Sequence, residues 1–123
     1  MPWLLMLSLA VAPTPQPSAL QGFVSSGTLR TLCRTATDDP DHSASLCLGY
    51  LAGVTDQLLS RESRRRISRR KICLPAGIMV DDLRAAVLAF QAETAPHDDA
   101  AAAPLVRLAL EATYPCGAPG ARP

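Results

Sequence analysis

Four cysteines, Cys33, Cys47, Cys73 and Cys116, carry the most chemistry in this 123-residue chain. A thiolate can attack a carbonyl, hold zinc or pair into a disulfide. A zinc site wants cysteines about two to four residues apart, whereas consecutive cysteines here lie 14, 26 and 43 positions apart. A nucleophilic thiol must be free and ionised. An even count in a small exported domain points instead to two disulfides, with three connectivities open. His42 and His97 both sit among aspartates in turn-like stretches, where a solvated or capping imidazole is the common role. No acid, base and nucleophile converge, so no catalysis, metal or cofactor is expected.

The second chemically distinct stretch is RESRRRISRRK, residues 61–71, which holds seven of the twelve Lys and Arg residues and one acid. Arg64, Arg65, Arg66, Arg69 and Arg70 are its candidates for partner binding. Either the stretch is a solvated extension of a helix or a loop, or it binds an acidic protein surface, an anionic membrane face or the cell wall. Nucleic acid is disfavoured, because no aromatic residues interleave the arginines for base stacking. The whole chain carries a net charge of only +1, so no global field draws it to nucleic acid or membrane.

These residues must be positioned by helices. The chain is rich in Leu and Ala and has five aromatic residues, Trp3, Phe23, Tyr50, Phe90 and Tyr114. That composition favours helix over sheet, and no strand-like alternation occurs. A first helix starts near Ser26, capped by Ser25 or Ser26, with Leu29, Leu32 and Cys33 on one face. After a polar loop with a turn at Asp39-Pro40, Asp41 or Ser43 caps a second helix running to about Arg61. Cys47, Tyr50, Leu51, Val54 and Leu58 recur along it at helical spacing. Pro75 and Gly77 break the chain before a third helix from Val80, where Asp81 and Asp82 complement the helix dipole and Leu83, Val87 and Phe90 form the buried stripe. Asp98 or Asp99 caps a fourth helix, which tolerates Pro104 only in its first turn or at a bend. The expectation is an all-α fold: a small four-helix domain made of two αα-hairpins.

Helix order chooses among the cysteine pairings. Cys33 ends the first helix and faces Cys47 in the first turns of the second, across a short turn. Cys73 precedes the third helix and Cys116 follows the fourth, so an antiparallel hairpin joins them at its open end. Cys33–Cys47 and Cys73–Cys116 would close loops of about 15 and 44 residues, worth roughly 3 and 4 kcal/mol on the loop-entropy model. A domain of about 100 residues is marginal without such help.

The second helix contains two glycines four apart, Gly49 and Gly53, each costing roughly 0.8–1 kcal/mol against alanine. They read as packing notches that let another backbone approach Cys47, or else as a groove for a partner segment. Asp56 reads as a structural hydrogen-bond or ion-pair group, with a site role as the other reading.

Residues 1–21 read as a signal peptide and loose linker. The apolar run Trp3–Ala12 is too short to span a bilayer, and Ala10-Val11-Ala12 is a cleavage candidate. Residues 22–116 form the helical domain, residues 117–123 a disordered tail, and no stable membrane insertion is expected.

The assembled pattern resembles a known family. A short helix ends in Cys33, and C-x-G-Y-L-x-G-V-x-D follows from Cys47 to Asp56, with Gly49, Tyr50 and Gly53 inside it. I-C-L-P-x-G spans Ile72 to Gly77, with Pro75 and Gly77, and A-L-x-x-x-Y-P-C spans Ala109 to Cys116, with Pro115. This is similar to the Tai/Rap group of periplasmic immunity proteins, which neutralise peptidoglycan amidase effectors delivered by type VI secretion. The similarity covers roughly residues 22 to 116. It implies an all-helical, non-catalytic, exported protein, a homodimer, that occludes an effector amidase. Met79 stands where such proteins tend to carry a capping Ser or Thr. The alternative is a small periplasmic helical protein with a chaperone-like role and no dedicated effector.

Overall fold

The computed structural model describes residues 22–34 and 42–117, together with Ala10 and Ala12. Four helices follow one another: α1 (Ser26–Arg34), α2 (Ser43–Ser63), α3 (Val80–Thr94) and α4 (Ala102–Thr113), with a single 3₁₀ turn at Ile67–Arg69 between α2 and α3. The only extended pairing among the described residues is two isolated bridges, Ser25 with Ala101 and Ile72 with Pro115. The all-α expectation holds. The signal-peptide reading, the Asp39-Pro40 turn, Asp41 as a cap and the tail beyond Gly117 lie outside the described residues.

Each helix touches the other three, with α1 on α2 and α3 on α4 the most extensive pairs. Leu29, Leu51, Val87, Val106 and Leu110 are fully buried where they meet. Each such side chain gains about 1.5–3 kcal/mol by leaving water. In a chain with so few aromatic residues, these aliphatic contacts and the disulfides supply the cohesion.

Both disulfides form as the helix order requires. Cys33 and Cys47 are joined with Cα atoms 5.0 Å apart, Cys73 and Cys116 with Cα atoms 4.8 Å apart. The second is supported by its neighbours: the Cys73 N–H donates to the Tyr114 carbonyl at 2.9 Å, next to the Ile72–Pro115 bridge. The motifs around Pro75 and Pro115 are thus laid side by side. Gly77 turns the chain with φ of 77°, a left-handed conformation in which glycine is unstrained.

Helix starts differ from the expectation in two places, α2 and α4. At α1 the Ser25 hydroxyl accepts the Thr28 N–H at 3.2 Å, an ordinary cap. At α2 the helix begins at Ser43, so Ser43 is not the cap; His42 stands before it in the left-handed conformation and makes no side-chain cap bond. At α4 neither Asp98 nor Asp99 caps, because the helix begins three residues later, after Ala101. Its free amides are met through space instead. The Ala102 N–H donates to the Val24 carbonyl at 3.0 Å, while Ser26 and Gly27 donate back to Ala100 and Asp98 at 2.7 and 2.9 Å. Pro104 falls within the first turn of α4, where its missing N–H costs nothing. At α3 the Asp82 carboxylate accepts the Met79 N–H at 2.8 Å, serving the helix start from within.

Candidate partner-binding surface

The last turns of α2 organise the basic stretch. Leu58 and Glu62 lie on its buried face, and Glu62 is only 8% exposed. A carboxylate so placed needs strong donors. It finds them across the loop it precedes: one oxygen accepts the Lys71 N–H at 2.8 Å and, more weakly, the Ile72 N–H at 3.4 Å. The other lies 3.7 Å from the Arg65 guanidinium. Residues 63–71 are thereby closed into a loop pinned at its base, with the 3₁₀ turn at its tip.

The five candidate arginines do not act as one set. Arg64 reaches back to the Ser60 hydroxyl at 3.4 Å, and Arg70 is half-buried, with its Nε sealed from solvent and lacking a hydrogen-bond partner. Arg65, Arg66 and Arg69 share one shallow depression of about 510 Å³. Ile67, which follows Arg66 in the chain, is 63% exposed. An apolar tip flanked by guanidinium groups has the composition of a protein-contact patch.

A groove between α2 and α4 begins beside this loop. Val54 and Leu58 of α2 and Ala103 and Pro104 of α4 line a space of about 330 Å³, and Arg61 and Arg107 stand at one end. A smaller hollow of about 200 Å³ shares Leu58, Arg61 and Arg107 and continues to Lys71.

The glycines require a correction. A Cβ built on Gly49 or Gly53 meets nothing within 4 Å, and both residues are exposed. They notch no contact among the described residues, because Gly49 lies two residues, or about 200°, round the helix from the buried Cys47. Asp56, two residues after the half-buried Val54, is likewise exposed and forms no ion pair among the described residues, so it is not the structural group expected. The glycine that does permit a close approach is Gly27, where a Cβ would lie 2.9 Å from the Asp98 Cβ and 3.1 Å from its carbonyl oxygen. Its sequence signal is slight: a small residue in the first turn of a capped helix. Glu62 was more visible, as the single acid in a run of arginines.

Tyr50 and Tyr114 both hold their protons above the ordinary tyrosine range. Burial is the main cause in each, and the charge of Asp82 adds to it at Tyr114. No cysteine is free, so no thiolate is available as nucleophile or ligand. No group of three or more His, Cys, Asp or Glu residues suited to a metal occurs among the described residues. No helix there is long and apolar enough to cross a membrane.

Such a molecule is a disulfide-stapled helical body presenting a charged, partly apolar surface. The family model for Rap1a immunity proteins matches residues 25–116, a span that contains all four helices and both disulfides. The chain belongs to that family. No match was found among curated proteins or among solved structures. Membership makes this an immunity protein with a secreted effector as its protein partner, and suggests an inhibitor that is not itself an enzyme.

Proposed function

We propose that the protein is exported to the periplasm and there binds and occludes a peptidoglycan amidase effector delivered by type VI secretion. The family match across residues 25–116 is the observation that carries this reading. Two disulfides agree with it, since such bonds persist in oxidising compartments. Occlusion needs a rigid shape rather than reactive groups, and a domain with both hairpins cross-linked supplies one. In this reading the loop of Arg65, Arg66, Ile67 and Arg69 faces an acidic surface of the amidase. A stable complex buries about 1,200–2,000 Å² in total, and a homodimer would widen the surface available.

The test is co-expression in the periplasm with the hydrolase encoded by the adjacent reading frame. Rescue from lysis and stoichiometric co-purification are expected. Lysis that continues undiminished beside soluble, oxidised protein would defeat the proposal.

A further inference from the structure

We infer that the groove between α2 and α4 receives an acidic segment of the effector, one that carries an apolar side chain next to a carboxylate. The inference rests on the immunity reading for the identity of the partner and on the groove itself for the chemistry. Its lining is mainly apolar, with Val54 and Leu58 beneath, Ala103 and Pro104 at the side, and Gln57 as a polar group among them. At Gly53 the wall is missing a side chain that the fold has room for, since an added Cβ touches nothing within 4 Å. A helix interior that accepts glycine with no packing neighbour among the described residues leaves space for an occupant.

Charge then selects the occupant. Arg61 makes no ion pair among the described residues, and Arg107, bound on one side to Glu111 at 3.0 Å, keeps a side chain 40% exposed. The adjoining hollow adds Arg65 and Lys71. The carboxylates nearby are already engaged, Glu62 by backbone amides and Glu111 by Arg107. A lysine-bearing segment would meet uncompensated like charge. A carboxylate would meet guanidinium groups that can bind it through two parallel N–H donors. The apolar floor takes the neighbouring side chain.

Two measurements test this, the first independently of the immunity reading. The first is an amide NMR titration of the oxidised protein with the blocked peptide acetyl-Leu-Glu-Leu-Glu-Leu-amide, against its lysine counterpart. Salt-sensitive shifts at Gly53, Val54, Arg61 and Arg107 are expected with the acidic peptide alone. No shifts, equal shifts with both peptides, or shifts confined to residues 64–70 would overturn the inference, whatever the effector proves to be. The second compares effector capture by Gly53→Leu, Arg61→Glu and Gly49→Leu. The first two should weaken it about 10-fold or more, a typical cost at a contact that matters, and the third should leave it within about twofold. Equal losses at Gly49 and Gly53 would overturn the groove while leaving the immunity reading intact. So would a wild-type dimer that Gly53→Leu turns into a monomer, since the occupant would then be a second copy.

Discussion

The carboxylate of Glu62 accepts the backbone N–H of Lys71 at 2.8 Å, closing the arginine loop from beneath with one buried side chain. Glu62→Ala removes that acceptor and leaves two amides to find water. The expected cost is about 1.5–3 kcal/mol, as for a hydrogen bond to a charged group. Because the loop is full of arginines, trypsin reports its opening directly. Cleavage between residues 64 and 71 should precede global unfolding in the variant and follow it in the wild type.

Glycine substitutions should split by sign. Gly27→Ala forces a methyl group against Asp98 and should cost about 1–3 kcal/mol, as overpacking does. Gly49→Ala and Gly53→Ala add a methyl group in open space within a helix and should stabilise by about 0.4–1 kcal/mol. Urea midpoints at constant slope check both.

Ala95 ends α3 with φ of 44°, a left-handed conformation that costs an L-residue about 1–2 kcal/mol. Ala95→Gly relieves it at the position where helices favour glycine. A net gain of about 0.5–1 kcal/mol is expected by thermal or urea unfolding.

The disulfides should contribute unequally. Cys73–Cys116 closes a separation of 43 residues and Cys33–Cys47 one of 14. Loop entropy assigns them about 4 and 3 kcal/mol, so replacing the former pair with serine should lower the urea midpoint more. The unreduced wild type should show no thiol to Ellman reagent.

Stability should fall on the alkaline side. Tyr50 and Tyr114 keep their protons in the folded state to higher pH than the ordinary value of about 10. Above that value the unfolded chain loses protons first and is favoured. The contribution is intact below about pH 10 and is lost as pH rises through the folded pKa values. Tyr114→Phe should flatten the fall, and Asp82→Asn should lower the Tyr114 titration seen by ultraviolet absorbance.

The helices and the cysteine pairing were legible because both rest on local pattern: Leu29 to Cys33, or Leu83 to Val87, repeat at helical spacing. Gly77 was legible for the same reason. The start of α4 was not, because its amide at Ala102 is satisfied by Val24, far back in the chain. Asp98 lies too far before the helix start to cap it and pairs with Arg30 instead. Gly49 and Gly53 were misread because two adjacent faces of α2 both look small and apolar in sequence. Only the packing of α1, α3 and α4 against α2 decides which one is covered. The groove beside Arg61 and Arg107 needed α4 in place, and nothing in the spacing of either helix announces it.

The arginine loop is anchored to the bundle mainly near its ends, by Glu62 before it and by Ile72 and Cys73 after it. The one hydrophobic residue between, Ile67, is outside the core. Its tip can therefore be rewritten, lengthened or exchanged for that of a relative with little penalty to the bundle. The bundle is the permanent mount, and the tip is the part whose sequence is free to change.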